Sequence, residues 1–278
     1  MFGKYSDQGH AISRLLEVSG RAAEVEAELE GVVNRLWVVT EESVIRRVAD
    51  EMATRPVYIA DGHHRYGTAL KYRDGLLAAG DLPMDDPARF VLIGLCAMED
   101  DGAVILPTHR VLSGFGETPV RVVMEAMRAG IDLRAASFNP GDPEQLVPAD
   151  GPEEVCVYEA DAGQFFMGRF TRRGVLRELE PRHSAAWCGL DLAYLHRYVI
   201  RELIGEGLMG GAEPTIHYFK SAGEALQAAR DTGGIAVLTR PCTMADLRGV
   251  SESGDLMPQK STYFYPKLAT GLVINPLS

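Results

Sequence analysis

Asp61, Gly62, His63, His64 and Arg65 stand in five consecutive positions, directly after the short apolar run PVYIA. A turn between a strand and a helix leaves backbone N–H groups free at the positive end of the helix dipole, which suits an anion. Gly62 lets the backbone approach a ligand closely, and Arg65 offers a planar fork to phosphate oxygens. His63 and His64 can donate hydrogen bonds or pass protons. Asp61 can cap the helix, hold Mg²⁺ or take a proton from a hydroxyl. The plainer alternative is a polar turn in which Asp61 is a simple cap and the rest a solvated first turn. Two histidines and a cation set against the dipole's sign are more than a cap requires.

A second basic cluster lies near the C-terminus. Lys260, Ser261 and Thr262, between Pro258 and Pro266, with Lys267 just after, bring cations and hydroxyls beside Tyr263, Phe264 and Tyr265. Lysines there can neutralise phosphate, and an aromatic ring can stack on a base. An ordered loop with packed aromatics and solvated lysines is the competing reading. His109, next to Thr108 and Arg110 at a strand end, is a secondary candidate for the same pocket. Adjacent histidines on a helix diverge by about 100°, so His63 and His64 chelate a metal poorly. His196 and His217 are weaker candidates, with His196 expected on the polar side of its helix.

These side chains need elements to hold them. Residues 11–30 show helical spacing, 35–40 alternate as a strand, and a helix runs from about Thr40 to Ala53. PVYIA reads as a buried strand, and the helix after it begins inside the motif, with Tyr66, Ala69, Leu70, Arg73 and Leu77 on one face. FVLIGLCAM (90–98) and AVILPTH (103–109) read as a hairpin around an acidic turn. Residues 114–154 contain one helix, VRVVMEAMRAG. EVCVYEA and GQFFMGRFTRR form a hairpin, and DLAYLHRYVIRELIG an amphipathic helix. HYFK, a helix over 221–230, GIAVLTR, a helix from Thr243 and a last apolar strand complete an α/β (mixed α+β) chain. The division expected is 1–112 and 113–278, two parts compatible with packing as one unit.

The chain has 278 residues, 46% hydrophobic and 24% charged, enough for a substantial core. A net charge of −11 disfavours nucleic acid as a partner and favours a small molecule or another protein. The four cysteines are far apart and read as reduced core thiols. No segment approaches the roughly 20 apolar residues of a membrane span, and no apolar signal segment opens the chain, so a cytoplasmic location is expected.

VYIADGHHRYGTALKYRD, ILPTHR and GDLMPQKSTYFYPKLATGL together resemble domain of unknown function family 1015. DGHHR also resembles the phosphate turn of the ParB/sulfiredoxin superfamily, which includes free-serine kinases and nucleotide-binding partition proteins. That resemblance implies a ParB/sulfiredoxin-like core with a C-terminal α/β extension. It places phosphate contacts on Gly62, His63, His64 and Arg65, and the kinase-type acid on Asp61. Sulfiredoxins carry their reactive cysteine where this chain has His63, so reductase chemistry is not implied. Gly67 stands where the family pattern usually has an acidic residue, and relatives are expected to carry a segment before the position of Met1. The function implied is transfer of phosphate from ATP or ADP, or with CTP as the nucleotide, to a small hydroxyl compound, with Mg²⁺ at Asp61. In that scheme Asp61 and His63 are catalytic, and His109, Lys260, Ser261, Thr262 and Lys267 join the nucleotide contacts. The alternatives are a nucleotide-binding switch without catalysis and a shortened, inactive relative.

Overall fold

Main-chain pairing puts the first residues of the chain at the centre of a sheet. Phe2–Tyr5 lies between Tyr58–Asp61, which it pairs antiparallel, and Gly94–Ala97, which it pairs parallel. All four residues of the central strand are buried. This computed structural model describes residues 1–17, 20–29, 31–138, 141–149, 154–269 and 271–276. The chain forms two units, one of Met1–Val104 with Phe264–Ser278 and one of Ile105–Tyr263. Both helices and sheets build it, so the fold is mixed α and β.

In the first unit, helix Ala11–Leu15 is held by the buried Asp7, whose carboxylate accepts from the Ile12 amide (3.2 Å), the Ser13 amide (3.0 Å) and the Ser13 hydroxyl (2.8 Å). Tyr5, Ile12 and Ala97 make a small core, against which Val48 and Met52 of helix Glu42–Met52 pack. Helix His63–Ala79 follows the Tyr58–Asp61 strand, as the pattern predicts, yet none of its residues is fully buried.

Three expectations in this unit need correction. Residues 11–30 are not one helix: Val25–Leu29 pairs antiparallel with Val32–Leu36, since apolar residues alternate with glutamates in VEAEL. Val18, Ser19 and Glu30 of that stretch lie outside the described residues. The strand read at 35–40 accordingly ends at Leu36. Gly94–Ala97 does not form a hairpin with the strand after it; it pairs parallel with Phe2–Tyr5 instead.

The second unit is built on a six-stranded sheet ordered Thr215–Phe219, His109–Ser113, Ile235–Thr239, Val155–Glu159, Gln164–Phe170 and Ile131–Ala136, with antiparallel pairing throughout. Alternation sends Val111, Cys156, Tyr158, Ala236 and Leu238 to one face, where Ala222, Ala225, Leu226 and Ala229 of helix Ala222–Thr232 cover them. Leu112, Val157 and Val237 face the other way, into the larger core with Met124 and Met127 of helix Val120–Arg128 and Tyr198, Val199 and Ile200.

The amphipathic segment expected after residue 190 is present as helix Asp191–Tyr194, continued over Leu195–Glu206 with the wider i to i+5 turn. Helix Met244–Glu252 begins with a reciprocal cap between Thr243 and Asp246, as its sequence indicates. Ile131–Ala136 is a strand in a region where only a helix was expected, and it is recruited by Gln164–Phe170. Residues 139, 140 and 150–153 of that region lie outside the described residues. The last apolar stretch is not a strand over 271–276, while Tyr263–Tyr265 is; Thr270 is not among the described residues. Among the described residues no helix is long and apolar enough to cross a membrane.

Asp255, just past the last helix, ties this unit together. It accepts from His183 Nδ1 (2.9 Å) and the Ser184 amide (2.8 Å), while the His183 ring stacks on Trp187 at 3.9 Å. Burial pushes its carboxyl up, but the Ser184 and Leu256 amides and His183 outweigh burial and hold it below the ordinary carboxylate range. A depressed carboxyl contributes stability above its unfolded value that is lost as pH falls through the folded one. Asp255→Asn should therefore cost about 1–3 kcal/mol near pH 7 in urea denaturation. The gap to wild type should close as the pH is taken below the ordinary carboxylate range.

Candidate functional site

Gly62 is the only residue between the Tyr58–Asp61 strand and helix His63–Ala79, and it takes the left-handed conformation at φ 92°, ψ 26°. The first helical bond runs from the Tyr66 amide to the Gly62 carbonyl at 3.0 Å. With glycine at the N-cap, no side chain caps the first turn. Asp61 is thus not the helix cap, and the first-turn amides keep their capacity to bind an anion. His63, His64 and Arg65 are exposed on that turn.

Arg65 folds back over the glycine. A Cβ at position 62 would stand 3.1 Å from Arg65 Nε and Nη2 and 3.3 Å from Cζ. The Asp61 carboxylate lies at the end of the strand, where Lys267 Nζ donates to Oδ2 at 2.8 Å. Burial pushes the Asp61 carboxyl up, yet the Lys267 ammonium, the Gly62 amide and Arg65 hold it below the ordinary value. The turn therefore combines a fixed carboxylate, two cations and open backbone donors. Asp61, Gly62, Arg65 and Lys267, drawn from two distant parts of the sequence, meet within the first unit.

Metal chemistry at Asp61 finds limited support in the donor set. Among the described residues no group of three or more His, Cys, Asp or Glu side chains could hold a metal ion. One carboxylate with an ammonium on one oxygen suits Mg²⁺ only where phosphate oxygens and water supply the remaining ligands.

The other predicted residues belong to the second unit, around Arg110. This buried guanidinium donates from Nε to His196 Nε2 (3.1 Å), from Nη1 to the Thr108 carbonyl and Thr239 Oγ1 (3.4 Å), and from Nη2 to the Lys260 carbonyl (3.0 Å). It also lies over the Tyr218 ring, 5.5 Å from its centroid. Burial draws its ionisation down to about 10. His196 is corrected from the polar side of its helix to this interior contact, where burial and then Arg110 bring it down to about 4. Neutral His196 accepts at Nε2, so its proton sits on Nδ1.

His109 is fully buried; its Nδ1 accepts from the Thr239 amide at 3.3 Å and its Nε2 has no hydrogen-bond partner among the described residues. Burial chiefly brings it down to about 4. Ser261 is buried and donates to the Pro258 carbonyl at 2.6 Å. Lys260 is exposed and meets Arg110 through its main chain, and Thr262 is half-buried.

Sequence reasoning missed the Arg110–His196 pair, whose members are 86 positions apart and share no local pattern. It also missed a cleft of about 380 Å³ in the second unit, lined by residues that include Asp191, Arg240, Cys242 and Thr243. There Asp191 joins Arg173 (2.7 Å) and Arg240 (2.6 Å).

The fold and this turn define a mixed α and β protein with a strand, glycine and helix junction carrying an acid–lysine pair. The chain belongs to the family described as Protein of unknown function (DUF1015), whose sequence model matches residues 1–192. No curated protein matches the sequence. Among solved structures, a conserved hypothetical protein from Pyrococcus furiosus is similar at 15% identity, covering 74% of this chain and 68% of that one, with a TM-score of 0.36. A free serine kinase variant in complex with AMP is similar at 8% identity over 95% of this chain and 83% of that one, TM-score 0.36; its counterpart in complex with ADP scores 0.35.

Two expected outcomes test the turn. Gly62→Ala should destabilise the protein by about 1–2 kcal/mol in thermal or urea melts, because an L-residue is strained in the left-handed region and would press on Arg65. Lys267→Met should raise the Asp61 pKa, since burial then loses its main opponent. Carboxyl ¹³C NMR titration reads that shift.

Proposed function

We propose that the 61–65 turn binds the phosphates of a nucleotide and that the protein transfers phosphate from ATP or ADP to a small hydroxyl compound. The observation that carries this reading is the uncapped turn at left-handed Gly62 with the Arg65 guanidinium folded over it. In this scheme the first-turn amides and Arg65 hold phosphate oxygens, and His63 offers a ring nitrogen to the same group. Phosphoryl transfer depends mostly on positioning and on neutralising charge, which this small set can supply. Lys267 would move from Asp61 to the incoming phosphate, leaving Asp61 to orient the acceptor hydroxyl and take its proton. A Mg²⁺ ion would sit between Asp61 and phosphate oxygens. CTP is a further candidate for the nucleotide.

A second reading is a nucleotide-binding protein without transfer. It is favoured by the Asp61–Lys267 contact at 2.8 Å, which keeps the carboxylate engaged.

Calorimetric titration with ATP, ADP and CTP, each with and without Mg²⁺, tests the shared claim. Saturable binding weakened about tenfold or more by Arg65→Ala is expected, the loss of a charge-assisted contact. Equal binding by the variant, or none by wild type, would contradict it. Labelled γ-phosphate appearing on a hydroxyl acceptor selects the first reading; binding without turnover selects the second.

A further inference from the structure

Lys4 is fully buried on the central strand of the first unit. Its Nζ donates to two acceptors, the Ala97 carbonyl at 2.8 Å and Cys96 Sγ at 3.1 Å. Lys4 and Cys96 are direct register partners on paired parallel strands, so their side chains leave the sheet side by side. The Cys96 thiol lies 3.4 Å from the same Ala97 carbonyl, which leaves sulfur lone pairs directed to the amine. Lysines are seldom fully buried without a carboxylate, and here the described hydrogen-bond acceptors are a carbonyl and a sulfur, with the Phe2 ring centroid 5.9 Å from Nζ.

Cys96 also differs from the other thiols. Cys156, Cys188 and Cys242 are buried, whereas Cys96 is partly exposed on an edge strand. Burial pushes the thiols of Cys156 and Cys242 up to about 12 and raises that of Cys188, which suppresses their reactive form. Cysteine attacks peroxide as its thiolate, and at Cys96 the amine of Lys4 stands 3.1 Å from that sulfur.

We propose that Lys4 and Cys96 form a peroxide-responsive site that closes into a covalent sulfur–nitrogen link. In the first step the sulfur, as thiolate, attacks hydrogen peroxide and the O–O bond breaks; the departing hydroxide takes a proton from the Lys4 ammonium and leaves as water, so that a sulfenic acid faces a neutral amine. In the second step the Nζ lone pair attacks Sγ and the S–O bond breaks. The departing oxygen leaves as a second water, taking a proton from Nζ. Sulfur has lost two electrons and peroxide has gained them, and the product is a sulfenamide. Sulfenic acids condense with nitrogen in this way, and an amine already in contact intercepts the intermediate before further oxidation. Closure would tie Phe2–Tyr5 to Gly94–Ala97, and a thiol would reopen the link.

The test is to treat the whole chain with dilute hydrogen peroxide, block free thiols, digest with trypsin and map the peptides by mass. The expected result is loss of cleavage after Lys4 and a joined peptide carrying Lys4 and Cys96, lighter by two hydrogens than its parts. Dithiothreitol should restore both peptides, and Cys96→Ser and Lys4→Met should not form the link. Modification at Cys96 should exceed that at Cys156 by about tenfold. Sulfinic acid at Cys96 with Lys4 still cleaved would overturn the proposal, as would a link that retains oxygen. The mass shift is read on the wild-type protein, so poor folding of a variant does not spare the idea.

Discussion

The left-handed backbone at Gly62 sets the geometry on which the candidate site rests. It converts a strand into a helix within one residue, at φ 92°. That conformation is open to glycine at little cost and strained for other residues. The same missing Cβ makes room for Arg65, whose guanidinium occupies the space a side chain at 62 would fill. Because the N-cap residue has no side chain, the helix dipole and first-turn amides stay uncapped. Asp61 is then left at the strand end, where Lys267 from the returning C-terminal segment pairs with it. One backbone angle thus links the turn, the anion-binding capacity and the carboxylate's environment.

The second unit solves a different problem, the burial of a guanidinium whose described hydrogen-bond partners are uncharged. Arg110 is held by an imidazole, two carbonyls and a hydroxyl. Leaving such a group unpaired would be far more costly than pairing it with dipoles. His196 serves as an acceptor only while neutral, and its lowered ionisation keeps it so. This network fixes the main chain of Lys260, and with it the start of the basic cluster seen in the sequence.

Much of this was legible in the sequence because local rules govern it. The strand, glycine and helix order at 58–79 follows from an apolar run, a permissive residue and helical spacing. The cap at Thr243 and the hairpin of Val155–Glu159 with Gln164–Phe170 follow from turn and cap chemistry. What was not legible depends on distant partners. VEAEL reads as helix or strand until Val32–Leu36 pairs with it, and Gly94–Ala97 takes the N-terminal strand as its neighbour. In the site, the residue types at 61–65 were visible, but the Lys267–Asp61 contact spans 206 positions and no short-range signal encodes it. His196 illustrates the same limit: its helix was found, while the buried arginine that turns it inward lies on another element.

The most direct measurement of the central claim is a backbone amide NMR titration of the protein with ADP. The account predicts saturable chemical-shift changes centred on the amides of Gly62 to Tyr66, with the Lys267 side chain responding at the same nucleotide concentration. Saturable shifts confined to other residues, with the 62–66 amides unmoved, would contradict it.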